Sequence, residues 1–191
     1  MARTPSTMLA LGTRLPHFEL ADTDGQLWRS EDNCSGKPAV VMFISNHCPF
    51  VINMKTALSQ FGRDYADRVS IVAIGSNDVD KFPQDGPDAM KRERKLQGYT
   101  FPYLYDETQS VAHAFQAACT PDFYVFDANL TLVYRGQFDE SRPGNGTTPT
   151  GSDLRAAVDA TLSGQAPLAT QKPSLGCNIK WKPGNEPGYF G

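Results

Sequence analysis

A continuous apolar run, Ala39 to Ile44, restricts the fold of this chain more than any other feature. It contains several β-branched residues and is too short for a helix, which is typical of a strand buried on both faces. From Pro49 to about Arg68, apolar residues recur at spacings of three and four, which predicts an amphipathic helix packed on that strand. A second apolar run, Val69 to Gly75, follows. This order predicts two parallel strands joined by a right-handed helical connection.

The remaining patterns extend this unit into an α/β fold with a central mixed sheet flanked by helices. Turn residues Asp22 to Gly25 separate two short strand-like stretches and predict an N-terminal hairpin. Ser152 is the predicted N-cap of the last helix. Further elements are predicted as helices over 88–97, 108–116 and 152–162, a short extension over 102–105, and an antiparallel hairpin of 124–127 with 131–136. This order of strands and helices is that of a thioredoxin-like core.

The length of 191 residues fits one compact domain followed by a tail. We predict that residues 1–165 form the domain, including the hairpin, and that residues 166–191 form an extended C-terminal tail. The tail shows no periodicity, so neither a strand nor a helix is predicted there. It is nevertheless too apolar to remain in water, which predicts that it packs on the domain through Leu175, Ile179, Trp181, Tyr189 and Phe190.

Charge and composition argue against several classes of partner. The 18 Lys and Arg residues against 21 Asp and Glu leave a net charge of -3, so the chain has no basic surplus for nucleic acid or an anionic membrane. No apolar run approaches the roughly 20 residues of a membrane span, and the start lacks the apolar core of a secretory signal. We therefore expect a cytoplasmic protein. Thiols stay reduced there, so the four cysteines should matter through their reactivity.

Cys48 carries the strongest chemical signal. It lies where the buried strand ends and the long helix begins, and Pro49 suits the first helical turn. Unpaired N–H groups and the positive end of the helix dipole favour a thiolate there, which lowers the pKa of such cysteines below about 8.5. The alternative is a buried, inert cysteine.

Several motifs together resemble a known family. They are Leu9 to Thr13, Asn46 to Val51, Cys119 to Phe123, and a long closing motif from Leu175 to Pro187. In these motifs the chain resembles the peroxiredoxin-like members of the thioredoxin superfamily, related to the alkyl hydroperoxide reductase and thiol-specific antioxidant group. The resemblance implies that Cys48 is the peroxidatic cysteine. It also implies that Thr120 and Pro121 form the cis-proline turn that faces it.

The chain departs from the family pattern at two places. Many relatives carry Cys-Asn-His-Cys, whereas this chain has Ser45 in the first position and lacks that dithiol. Ser45 instead matches the hydroxyl residue of the peroxiredoxin motif, which implies that it helps to hold the thiolate. The supporting arginine of peroxiredoxins has no counterpart next to Pro121, and Arg135 or Arg142 replaces it only if the fold turns one of them inward.

Other candidate residues have two interpretations each. Cys119 and Cys177 are either inert or resolving thiols, and Cys34, predicted in a loop, is interpreted as inert. His47 is either an exposed loop residue or a group that holds a proton or binds substrate. The four cysteines form no Cys-x-x-Cys pair, so no metal site is predicted. No cofactor is predicted either.

The resulting hypothesis is a thiol-dependent oxidoreductase that reduces a small hydroperoxide through Cys48. The sulfenic acid formed would be resolved by Cys119, by Cys177 or by an external thiol reductant. One alternative is a thioredoxin-like reductase acting on a protein disulfide, although Ser45 removes its usual second thiol. The other is a catalytically silent binding protein of the same fold. A homodimer is one assembly that the sequence leaves open.

Overall fold

The computed structural model describes residues 3–167 and 169–189. The strands are β1 (Thr4–Pro5), β2 (Glu19–Ala21), β3 (Leu27–Arg29), β4 (Ala39–Phe43), β5 (Ser70–Gly75), β6 (Tyr103–Tyr105), β7 (Cys119–Thr120), β8 (Asp122–Phe126), β9 (Leu132–Gly136) and β10 (Leu175–Asn178). The α-helices are α1 (Ser30–Cys34), α2 (Pro49–Tyr65), α3 (Pro87–Gln97), α4 (Ser110–Ala114) and α5 (Ser152–Leu162), and a short 3-10 helix spans Pro83–Asp85.

The predicted mixed sheet is confirmed. Five strands lie in the order β6-β5-β4-β8-β9, with β4 at the centre. Strand β4 pairs in parallel with β5 and antiparallel with β8, so the helix between β4 and β5 is the predicted crossover. The hairpin of β2 and β3 precedes this unit, as predicted.

The sheet separates two buried apolar clusters, because successive strand residues point to opposite faces. One cluster joins alternate β4 residues, including Val40 and Met42, to α2 and α5, and it also contains Cys48 and Cys177. The other contains Val41 and Phe43 of β4. Cys34 belongs to this second cluster. Cys48 and Cys177 thus belong to the cluster on one face of the sheet, and Cys34 to the cluster on the other.

The prediction that the tail carries no strand is wrong. Residues Leu175–Asn178 form β10, which pairs antiparallel with both β1 and β7. Burial of Ile179 and Trp181 is confirmed, with 1% and 7% of their surface exposed. Phe190 lies outside the described residues. The boundary between residues 165 and 166 remains a prediction.

Two local predictions are corrected. Cys34 ends helix α1 and is not in a loop. Gly151, with φ of 74°, is the N-cap of α5, and Ser152 is the first helical residue, because the chain enters the helix through a left-handed turn. In the described part of the chain, no helix has both the length and the apolar character needed to cross a membrane.

Candidate active site

Cys48 is the N-cap of α2, and a short loop joins it to Phe43, the last residue of the central strand. Pro49 occupies the first helical position, where its missing N–H removes no hydrogen bond. The Cys48 side chain has no exposed surface. The reactive position predicted from the sequence is therefore a buried one.

The cis-proline turn faces Cys48, as predicted. The peptide bond between Thr120 and Pro121 is cis. As a neutral thiol, Cys48 Sγ donates a hydrogen bond to the Thr120 carbonyl oxygen at 3.0 Å. Ser45 is also buried here, and its Oγ lies 3.1 Å from Thr120 Oγ1. Ser45 thus contacts the cis-proline turn through the Thr120 side chain.

Cys177 lies next to this turn because of the register of β10. It is the direct antiparallel partner of Thr120. Side chains of directly paired residues share one face of a sheet, so Cys177 and Thr120 both point toward Cys48. The Cys177 thiol makes a hydrogen bond with Cys48. Ser45 supplies no second thiol, and Cys177 of strand β10 brings one to the site.

The donors around Cys48 favour its thiolate. The Cys177 thiol contributes most, followed among the favourable contacts by the Val51 backbone N–H, the Thr120 hydroxyl and the Cys177 backbone N–H. Burial opposes ionisation, but together the contacts lower the pKa of Cys48 to about 5. The same contact raises the pKa of Cys177, since its proton is held against the Cys48 sulfur. The contacts therefore favour a Cys48 thiolate paired with a Cys177 thiol.

His47 is held in a network that the sequence analysis did not identify. Its Nδ1 lies 2.6 Å from Oδ2 of Asp85, and its ring stacks on Phe82 with centroids 5.3 Å apart. Asp85 Oδ1 also accepts the backbone N–H of Asn46 at 2.8 Å. The interpretation of His47 as an exposed loop residue is wrong, because a buried carboxylate fixes both the ring and its loop.

Asn77 connects this loop to the tail. Its Nδ2 donates to Asp85 Oδ2 at 2.7 Å, and its Oδ1 accepts the Lys180 backbone N–H at 2.8 Å. The Lys180 carbonyl in turn accepts the Gln109 amide at 2.9 Å. These bonds hold the tail just after β10 and so help to position Cys177. Asp85 and Asn77 carry no sequence signal beyond the turn-rich segment in which they lie.

The remaining candidates are less well placed. Burial raises the pKa of Cys34 to about 11 and raises that of Cys119, so both favour the inert thiol form. Arg135 lies on the edge strand β9 and donates to Gln171 at 2.8 Å. Arg142 donates to the carbonyl oxygens of Asp139 and Ser141. Both arginines thus bind groups outside the Cys48 site, so the interpretation of Arg135 as an accessory to Cys48 is not supported.

The first testable prediction concerns the charge of Cys48. A pH titration of thiolate absorbance at 240 nm should show a step centred near pH 5 in the wild type, and Cys48→Ser should lack it. Absorbance suits this buried sulfur because no reagent has to reach it. Thr120→Val removes one donor and should move the midpoint upward, whereas Cys34→Ser should leave it unchanged. A first step at pH 8 or above in the wild type would contradict the assignment.

The fold is thioredoxin-like, a cysteine lies at the start of the helix that follows the central strand, and a cis-proline faces that cysteine. These features define a class of thiol-dependent redox proteins. Residues 11–135 match the model of the AhpC/TSA family. The chain belongs to the AhpC/TSA family. Thiol-dependent redox chemistry is thus the general function of the protein. No curated protein matches the chain significantly.

Solved structures agree with this fold. An uncharacterized conserved protein from Geobacillus kaustophilus is 52% identical, with a TM-score of 0.93, covering 96% of this chain and 98% of that one. A secreted disulfide oxidoreductase of Mycobacterium tuberculosis is 20% identical, with a TM-score of 0.59 and coverage of 75% and 95%. A peroxidoxin from the same organism is 18% identical, with a TM-score of 0.57 and coverage of 81% and 96%. The two more distant structures support the fold alone.

Proposed function

We propose that the protein reduces small hydroperoxides through the Cys48 thiolate. The observation that carries this proposal is the set of donors around Cys48 Sγ, which lowers the pKa of the thiol to about 5 at the start of α2. Only the thiolate is a competent nucleophile toward an O–O bond. Membership of the AhpC/TSA family also supports this choice of substrate.

The proposed reaction needs no cofactor. The Cys48 thiolate attacks one oxygen of the hydroperoxide, an S–O bond forms, and the O–O bond breaks. The leaving oxygen takes a proton and departs as water or an alcohol, and Cys48 becomes a sulfenic acid. Sulfur is oxidised and the peroxide is reduced by two electrons. The Thr120 hydroxyl, which contacts Ser45 Oγ, donates to the Cys48 thiolate beside the cis-proline turn.

Burial of the sulfur favours a small substrate. Because Cys48 has no exposed surface, a substrate reaches Sγ only when the covering segments move slightly. A hydroperoxide needs a much smaller opening than a disulfide on the surface of another protein. This difference is the reason for ranking hydroperoxide reduction above protein disulfide reduction.

Disulfide reduction is the second candidate function, and one observation favours it. The contact between Cys48 and Cys177 supplies the second thiol that Ser45 denies to the usual dithiol motif. A dithiol can reduce an external disulfide through a mixed disulfide. A comparison of both oxidants on one protein separates the two functions.

The test is a stopped-flow measurement of thiol oxidation by hydrogen peroxide and, separately, by a peptide disulfide. We expect peroxide to oxidise the wild type at least about 100-fold faster than free cysteine at the same pH, the order of magnitude contributed by one preorganised donor. Cys48→Ser should abolish this reaction, and Cys34→Ser, with a buried thiol on the other face of the sheet, should retain it. A peroxide rate equal to that of free cysteine, together with rapid reaction with the disulfide, would reverse the ranking.

A further inference from the structure

Strand β10 approaches the cis-proline turn unusually closely. A Cβ atom at Gly176 would lie 2.6 Å from the Thr120 carbonyl carbon and would overlap the carbonyl oxygen. Only glycine therefore permits the approach that places Cys177 opposite Thr120. Beyond the strand, Ile179 N–H donates to Ala118 O at 3.0 Å, and Lys180 is held by Asn77. The position of Cys177 is thus fixed from both ends of the strand.

The same register excludes Cys119 from this position. Cys119 is the residue before Thr120 on β7, so its side chain points to the other face of that strand. Its Sγ lies 3.6 Å from the Pro121 carbonyl oxygen and is fully buried. Of the two thiols near the turn, Cys177 is the one in hydrogen-bond contact with Cys48.

Two forces keep the Cys177 proton in place while Cys48 is reduced. The hydrogen bond to Cys48 and the negative charge on Cys48 both raise the pKa of Cys177, in addition to burial. Oxidation of Cys48 to a neutral sulfenic acid removes the charge. Burial and Cys119 continue to oppose the Cys177 thiolate, whereas the Coulombic influence of Lys180 favours it.

We propose that Cys177 is the second redox thiol of this site, and that oxidation of Cys48 is the event that releases it to react. This inference deepens the proposed function and rests on it for the oxidant. Cys177 closes an intrachain disulfide with Cys48, bonding strand β10 to the start of α2. Both cysteines belong to the same buried cluster beside the cis-proline turn, and the bond forms when the two sulfurs approach to about 2.05 Å.

The resolving step conserves atoms and electrons. The Cys177 sulfur attacks the Cys48 sulfenic sulfur, an S–S bond forms and the S–O bond breaks. The proton of Cys177 leaves with the sulfenic hydroxyl as water. An external dithiol then reduces the disulfide through a mixed disulfide and is itself oxidised to a disulfide, which restores both thiols.

The first test maps the bond. Reduced protein is treated with one equivalent of hydrogen peroxide or, in parallel, with diamide, which oxidises two neighbouring thiols without a sulfenic intermediate. We expect a Cys48–Cys177 linkage by peptide mass spectrometry in the wild type and in Cys119→Ser. Cys177→Ser should instead accumulate a sulfenic acid on Cys48 that dimedone traps. A Cys48–Cys119 linkage, or a persistent sulfenic acid in the wild type, would overturn the inference.

The two oxidants separate this inference from the proposed function. If peroxide leaves the protein unchanged but diamide forms the Cys48–Cys177 bond, hydroperoxide reduction fails and the thiol pair stands. If peroxide oxidises Cys48 and neither oxidant gives that bond, the pair fails and the proposed function stands.

The second test addresses release. Cys48→Ala removes the hydrogen bond to Cys177 and the negative charge beside it, and oxidation of Cys48 removes the same charge. Iodoacetamide should therefore modify Cys177 at lower pH in this variant than in the wild type. Site-resolved mass spectrometry gives the midpoint for Cys177 alone, with Cys34 in the same sample as the internal control, because Cys34 lies on the other face of the sheet and does not feel the Cys48 charge. An unchanged midpoint for Cys177 would overturn the release mechanism.

Discussion

Replacing Gly176 with alanine should destabilise the folded protein by about 3 kcal/mol, the upper part of the usual range for overpacking. The added Cβ would overlap the carbonyl of Thr120, which is backbone and cannot rotate away as a side chain would. Strand β10 must therefore move off β7. Chemical denaturation at pH 7 measures the change in the free energy of unfolding.

The same variant should also alter the site. As β10 moves, Cys48 loses the donors supplied by Cys177, so the thiolate step at 240 nm should move above pH 5. Gly188→Ala is the matched control in the tail, because its Cβ would meet nothing within 4 Å. This control should change the free energy of unfolding by less than about 0.5 kcal/mol. A Gly176→Ala protein with wild-type stability and titration would show that β10 tolerates the displacement.

The second large effect concerns Asp122, a fully buried carboxyl group at the start of β8. Its Oδ2 accepts hydrogen bonds from Tyr124 Oη at 2.8 Å and Ser6 Oγ at 3.0 Å. These bonds favour the carboxylate, but burial is the largest influence and raises the pKa of Asp122 to about 7. The folded chain therefore retains this proton at a pH where the unfolded chain has released it.

The direction of the pH dependence follows from this difference. Between about pH 4 and pH 7 the folded state binds more protons at Asp122 than the unfolded state, so stability falls as the pH rises. A pKa difference of about 3 corresponds to a loss of roughly 4 kcal/mol across this window. Asp122→Asn carries no titrating group and should not show this loss.

Denaturation curves from pH 4 to pH 8 test this prediction. The protein with Asp122 and the Asp122→Asn variant should both carry Cys48→Ser, because the lowered pKa of Cys48 makes stability rise with pH and would oppose the effect. At each pH we subtract the free energy of unfolding of the Asp122→Asn variant from that of the protein with Asp122. We expect this difference to fall by roughly 3 to 4 kcal/mol as the pH rises from 4 to 8. Parallel curves would mean that Asp122 ionises as freely in the folded chain as in the unfolded one.

Most of the central fold was predictable because its signals are local. The apolar run of β4, the stripe of α2 and the second apolar run, β5, each show a period that belongs to one kind of element. Helix α5 was predicted with the observed bounds. The short elements α1, β1 and β7 were missed, since two to five residues are too few to establish a period.

The candidate site divides along the same line. Cys48 was identifiable because it lies at the start of a predicted helix, although its strongest donor, Cys177, was not identified from the sequence. The Thr120–Pro121 turn was identifiable from the family resemblance. The environments of His47 and Arg135 were not identifiable. Their partners, Asp85 and Gln171, lie more than thirty residues away in the sequence. No pattern in the sequence around either residue indicates these partners.

Local signals in the sequence were enough to predict the strand–helix–strand core and a cysteine at the start of α2, because periodicity and helix termini act over a few residues. The meeting of Cys177 with Cys48 depends instead on contacts between distant parts of the chain. Strand β10 has four residues and no alternating pattern of its own, so its pairing depends on what β1 and β7 offer. The pairing of β10 is stabilised by backbone hydrogen bonds, by the close approach that Gly176 permits and by the burial of Trp181. Each of these contributions arises only when distant parts of the chain have come together.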